Sequence, residues 1–170
     1  MIASEEIRKT VSIRIESIVL KGNLIVPAKG TGLVIFSHGS GSSRLSPRNN
    51  YVAEVLQKKG LATLLFDLLT EDEDRIYENR FNIDLLTIRR INVTQWAQRQ
   101  NEIHGLPIGY FGASTGAASA LRAAAFFGED IKAVVSRGGR PDMAMGAASE
   151  LENLTQALES VTGWVKDSLT

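Results

Sequence analysis

Between Thr10 and Ile15 apolar and polar residues alternate, with Val11, Ile13 and Ile15 on one side and Ser12 and Arg14 on the other. This two-residue period predicts a half-buried strand. Ile18 to Val26 reads as a second strand, paired with the first as a hairpin. After the turn Pro27-Ala28-Lys29-Gly30, the run Leu33-Val34-Ile35-Phe36 is continuously apolar, as a central parallel strand covered on both faces requires. A Gly/Ser-rich loop from Gly39 to Pro47 leads to a helix, with Ser46 as its cap and Pro47 at its first position. That helix presents Tyr51, Val52, Val55 and Leu56 at core spacing and stops at Gly60.

The alternation of strand and helix continues. Leu61 to Phe66 is a buried strand that ends at Asp67 and runs into the acidic segment Glu71-Asp72-Glu73-Asp74. That segment is read as a solvated face or a lid. A helix is expected from about Asn79 to Gln98, with Phe81, Leu85, Ile88, Ile91 and Trp96 on one side. Leu106 to Phe111 is a short strand, Ser114 to Phe127 an alanine-rich helix, and Ile131 to Ser136 a further strand. Arg137 to Asp142 is a loop, and Ser149 to Leu169 an amphipathic helix with Ser149 and Glu152 in capping-box register. The predicted architecture is α/β: a three-layer, mixed but mostly parallel sheet flanked by helices, in one domain over residues 1–170. No strand is expected after the sixth, so Ile131 to Ser136 is expected at an open edge, which invites pairing with another chain.

Composition changes this picture little. With 44% hydrophobic and 22% charged residues the chain has the profile of a folded soluble protein. Its formal net charge of zero gives no support for a nucleic-acid partner. No cysteine is present, so disulfides and thiolate metal sites are excluded. No apolar run approaches membrane-spanning length, and the polar, acidic start is unlike a secretory signal. A cytoplasmic protein without metal or cofactor is expected, and homo-oligomerisation, as a dimer, follows from the open edge.

The candidate chemistry lies at Gly112-Ala113-Ser114-Thr115-Gly116, between an apolar strand and an alanine-rich helix. Gly-x-Ser-x-Gly in that context reads as a nucleophile elbow, with Ser114 exposed at the helix N-terminus. The alternative is a tight strand-to-helix turn with a capping serine. A second signal is Phe36-Ser37-His38-Gly39-Ser40-Gly41 after the central strand. Its glycines let backbone N–H groups approach a ligand. Gly39 or Ser40, paired with the amide of Thr115, would form an oxyanion hole.

The segment from Leu33 to Asp142 resembles the dienelactone hydrolase-related branch of the α/β-hydrolases. The resemblance rests on Ser37 to Arg44, Ser46-Pro47-Arg48-Asn49, Leu61 to Thr70, Pro107 to Gly116 and Ser136 to Asp142. Some bacterial proteins of that branch are fused to phosphoribosyltransferase-like domains, and no such domain is read here. The resemblance implies hydrolysis of a small-molecule ester or lactone through an acyl-enzyme, without a metal. Dienelactone hydrolases proper use a cysteine nucleophile; Ser114 stands at that position. The resemblance also places a triad acid and histidine after the strands that follow Ser136, and this sequence has its two histidines at 38 and 104 only. By this comparison the fold is truncated after the sixth strand and ends in the amphipathic helix.

His38 has two readings. It is a base if its imidazole reaches about 3 Å from the serine hydroxyl, and otherwise it holds the oxyanion loop. His104 precedes a strand and belongs on the opposite edge. Asp142 stands where some α/β-hydrolases place their acid, and otherwise caps a turn or pairs with Arg137 or Arg140; those two arginines, near the expected active edge, close the loop through that ion pair or grip a carboxylate or phosphate. Asp67 either hydrogen-bonds loop backbone or repels an anionic substrate. Three functions stay open: a serine hydrolase, weak or completed by a partner chain; an inactive scaffold or small-molecule-binding protein that keeps the pocket; and a fragment whose fold outlives its chemistry.

Overall fold

The computed structural model describes residues 5–137 and 146–148. The expected helix at Ser149 to Leu169, together with Arg140 and Asp142, lies outside the described residues.

The alternating N-terminal segments form a hairpin of two nine-residue strands, β1 (Ile7–Ile15) and β2 (Ile18–Val26), in continuous antiparallel register from Ile7↔Val26 to Ile15↔Ile18. The apolar runs become β3 (Gly32–Ser37), α1 (Pro47–Lys58) and β4 (Leu61–Phe66), and every residue of β3 and β4 is buried. Then follow α2 (Glu71–Asp74), a 3-10 turn (Tyr77–Phe81), α3 (Ile83–Gln98), β5 (Ile108–Ala113), α4 (Thr115–Phe127), β6 (Ile131–Arg137) and β7 (Gly146–Ala148). The sheet order is β1-β2-β4-β3-β5-β6-β7. Strands β4, β3, β5 and β6 are mutually parallel, and β2 meets β4 antiparallel. This is the mixed, mostly parallel three-layer sheet that the pattern predicts.

Parallel strands bury both faces, and each face has its own core. On one, Leu33, Ile35, Leu64 and Tyr110 pack with Leu86, Val93 and Ala97 of α3 and Ala120 and Ala123 of α4. On the other, Val34, Phe36, Leu65 and Phe111 pack with Val52, Ala53 and Leu56 of α1. Because β4, β3, β5 and β6 run the same way, their C-terminal ends at Phe66, Ser37, Ala113 and Arg137 fall on one edge of the sheet. The candidate chemistry sits on that edge.

Local signals place the helix starts. The Ser46 hydroxyl accepts from the Asn49 amide at 3.3 Å with Pro47 at the first position, and Gly60 at φ +82 follows α1. The acidic run buries none of its residues, and it is ordered by local bonds. Thr70 and Glu73 form a capping box that starts α2. Each of its four carboxylates has a cationic partner: Glu71 with Lys21, Asp72 with Arg75, Glu73 with Arg89, and Asp74 with Arg80.

Three expectations are corrected. Helix α3 begins at Ile83 rather than Asn79, because the Asn82 side chain caps it by accepting from Leu85 N–H at 3.1 Å. Its buried stripe is Leu86, Arg90, Val93, Thr94 and Ala97, while Ile88 is exposed. Two polar residues are inside: Thr94 Oγ1 bonds the Arg90 carbonyl and the Tyr110 hydroxyl, and Arg90 places one guanidinium N–H on the Ile35 carbonyl. Finally, β6 is not a bare edge, since β7 pairs antiparallel with Ala133, Val134 and Val135. A three-residue strand of glycine and alanine carries neither alternation nor β-branched residues, so its sequence gave no strand signal.

Among the described residues no helix is long and apolar enough to cross a membrane. Leu64 lies on the interior strand β4 with no exposed surface. Leu64→Ala is expected to lower the unfolding free energy by about 2–5 kcal/mol, read as a lower urea midpoint at unchanged slope.

Candidate active site

Ser114 sits between β5 and α4 with φ +52 and ψ −120, a strained backbone conformation that non-glycine residues seldom adopt. The strain is held from both sides. Ser114 N–H donates to the Arg137 carbonyl at 2.8 Å across the β5–β6 edge. The Ser114 carbonyl accepts from the Ala117 and Ala118 amides at 2.9 and 3.3 Å, which starts α4. The residue is exposed, so its hydroxyl stands at the helix N-terminus in reach of a ligand.

The two flanking glycines have steric reasons. A Cβ on Gly112 would stand 2.6 Å from both Ala117 Cα and the Gly116 carbonyl oxygen. A Cβ on Gly116 would collide with the Ser37 and His38 carbonyl oxygens and lie 2.8 Å from the Ser37 carbonyl carbon. The helix start therefore lies directly against the end of β3. This close approach brings the loop after β3 to the serine: a Cβ on Gly39 would be 3.2 Å from Ser114 Cβ.

That loop is fixed by its own hydrogen bonds. His38 is buried, and its Nε2 accepts from Leu68 N–H at 3.0 Å. Nδ1 therefore carries the ring proton and donates to the Gly39 carbonyl at 2.8 Å. The same carbonyl accepts from Ser42 N–H at 3.1 Å. Because the Gly39–Ser40 peptide is planar, clamping the carbonyl fixes the opposite direction for the Ser40 N–H. Asp67 ties the far end of the loop, accepting from Arg44 N–H at 2.8 Å and Arg44 Nη1 at 2.6 Å. Asp67 thus has the loop-backbone bond that was one of its two expected uses.

The ring of His38 has both nitrogens engaged with backbone, and burial pushes its pKa below the usual 6.5. The imidazole is neutral and spends both its hydrogen-bonding positions on the loop. Thr115, as first residue of α4, has one of the four amides with no acceptor inside the helix. The structure therefore brings Ser114, Thr115, Gly39, Ser40 and His38 to one place. His104 is on the opposite edge, where its Nδ1 meets the Gln98 carbonyl at 2.9 Å.

Further residues complete the surroundings, of which pattern reading did not select Arg80. The pocket between the loop and the helix is lined by His38, Gly39, Ser40, Gly41 and Thr115 and walled by Asp74 and Arg80. Its volume is about 10 Å³, room for one water. Arg80 is held by Asp74 through Nε and Nη2 at 3.0 and 2.9 Å. The capping box at Thr70 was a legible signal for this wall; the pairing of Arg80 was not. On the β6 side Arg137 is half-buried, and burial together with the nearby Arg48 guanidinium lowers its pKa. Among the described residues no group of three or more metal-ligating side chains occurs.

No family model matches the chain. A dienelactone hydrolase of Anabaena variabilis is 53% identical, with a TM-score of 0.75 over 82% of this chain and 67% of that one. A proposed phosphoribosyl transferase of Mycobacterium tuberculosis is 60% identical over 123 residues, 72% of this chain. The chain spans 28% of that relative's length. The esterase Est1E of Butyrivibrio proteoclasticus shares the fold, with a TM-score of 0.63 at 23% identity over 74% of this chain and 48% of that one.

Gly116→Ala is expected to cost about 1–3 kcal/mol or more, because backbone at Ser37 and His38 must move; calorimetry reads this as a lower Tm. A neutral histidine with a lowered pKa also gives a sign for pH. The unfolded chain binds the proton first as pH falls, so this increment of stability is complete above about pH 6.5 and is lost as pH falls through the folded pKa. Urea midpoints for the protein should drop between pH 7.5 and 5.5, and His38→Gln should flatten that drop.

Proposed function

This chain belongs to the dienelactone hydrolase family of the α/β-hydrolase fold, and we propose on that footing that it is a serine hydrolase of carboxylic esters or lactones. Ser114 Oγ attacks the ester carbonyl and an alkoxide leaves, forming an acyl-enzyme. Water then attacks the acyl carbon and the serine oxygen departs, releasing the acid. The oxyanion of each tetrahedral intermediate is taken by the Thr115 amide and an amide of the Gly39–Ser40 segment. The observation that carries this reading is the strained Ser114, exposed at the start of α4 and pressed against Gly39. Strain of this kind persists where surrounding structure holds it, and such positions cluster at active sites.

In this reading His38 is a positioning residue. Its two ring hydrogen bonds join the ends of β3 and β4 and set the oxyanion loop. The base that accepts the serine proton lies outside the described residues, in further residues of a longer chain or in a partner chain such as a second copy. Arg137 and Arg48, like charges beside the elbow, favour a substrate that bears a carboxylate.

The engagement of both His38 nitrogens favours a second reading, a small-molecule-binding protein that retains elbow and oxyanion pocket without turnover. A fluorophosphonate probe separates the two. A hydrolase is expected to label at Ser114, with the label lost in Ser114→Ala and the fold retained by circular dichroism. A well-folded wild-type protein that takes no label at Ser114 would contradict the hydrolase reading and leave the binding one.

A further inference from the structure

Arg90 is a cation enclosed in the core. It has no exposed surface, and it lies between α3 and the sheet. Its Nη2 donates to the Ile35 carbonyl of β3 at 2.6 Å, and its guanidinium carbon lies 3.8 Å from the centre of the Tyr110 ring of β5. The Tyr110 hydroxyl is in turn 2.7 Å from Thr94 Oγ1. No carboxylate pairs with Arg90 among the described residues. Its Nε and Nη1 have no hydrogen-bond partner there either. Enclosing an unpaired charge is costly. A neutral side chain of similar length would fill the same space at less cost, so the charge calls for an explanation.

The explanation lies in the two strands that Arg90 touches. Ile35 stands four residues before Gly39 on the strand that carries the oxyanion loop. Tyr110 stands four residues before Ser114 on the strand that carries the elbow. At a strand rise of about 3.3 Å per residue, both sites lie about 13 Å along the sheet from the guanidinium. We propose that Arg90 acts as a fixed positive charge beneath the active edge, stabilising the negative oxygen that forms on attack by Ser114. This rests on the hydrolase reading given above. Among the described residues the guanidinium meets the Tyr110 ring from β5 and the Ile35 carbonyl from β3, and Thr94 of its own helix bonds the Tyr110 hydroxyl. None of these carries a negative charge at neutral pH, since burial also raises the Tyr110 pKa. Burial lowers the Arg90 pKa to about 10, which leaves it charged there. Because the residue is fully buried and held by the Ile35 carbonyl and the Tyr110 ring, its field is present before the reaction and costs no reorganisation during it. At about 13 Å and an effective permittivity of ~20, Coulomb's law corresponds to a rate effect of up to roughly tenfold.

The test uses the full chain and an uncharged fluorophosphonate, following the second-order rate constant for labelling of Ser114. Arg90→Met, folded by circular dichroism, is expected to label about threefold to tenfold more slowly than wild type. Arg90→Lys keeps a charge that titrates, because burial shifts a lysine pKa downward by units. Its rate relative to wild type should therefore match wild type at low pH and fall to the Arg90→Met level as pH rises through the lysine pKa. A merely structural role does not produce that inflection. If Arg90→Met fails to fold, the Arg90→Lys profile decides alone, and a flat ratio overturns the inference. Equal labelling of wild type and Arg90→Met overturns it while leaving Ser114 as the nucleophile. A wild type that does not label overturns both readings together.

Discussion

The site depends on one close approach: the first turn of α4 lies against the last residues of β3. Gly116 touches the Ser37 and His38 carbonyls, and Gly112 touches Ala117. No side chain fits at either position. From that contact follow the strained backbone at Ser114, the exposure of its hydroxyl, and the nearness of Gly39. The strain is supported by strong local bonds, above all the Ser114 amide to the Arg137 carbonyl. The helix and two strands thus fix the position of Ser114.

The loop opposite is fixed by a different device. Parallel β3 and β4 end side by side, and His38 and Asp67 link what leaves them. A buried neutral imidazole accepts one backbone amide and donates to one backbone carbonyl, which sets the orientation of the Gly39–Ser40 peptide. Rigid donors aimed in advance are what makes an oxyanion hole effective. The same bonds occupy the histidine, so one residue cannot both hold this loop and accept the serine proton. Under α3, the buried Arg90 touches β3 and β5, the two strands that carry the loop and Ser114.

Much of this was legible in the residues. The hairpin, the wholly apolar β3 and β4, the Ser46-Pro47 helix start and Gly112 to Gly116 carry strong local signals, because each shows as a period, an apolar run, a cap or a glycine spacing within a few positions. The parts that were not legible depend on distant partners. Arg90 and Thr94 are polar, so a hydrophobic stripe drawn on α3 passes them by and selects exposed Ile88 instead. What buries Arg90 is a carbonyl 55 positions earlier and a ring on β5. Likewise the two hydrogen bonds of His38 involve Leu68 and Gly39, and no spacing announces the first of them. The three small residues of β7 pair with β6 through backbone alone.

The central claim is that Ser114 and the amides of Thr115 and the Gly39–Ser40 segment form one reaction centre. A crystal structure of the phosphonylated protein tests it most directly. The account predicts phosphorus bonded to Ser114 Oγ, with the phosphonyl oxygen about 2.7–3.1 Å from the Thr115 nitrogen and from a nitrogen of Gly39 or Ser40. An adduct on another residue, or a phosphonyl oxygen turned away from both amides, would contradict it.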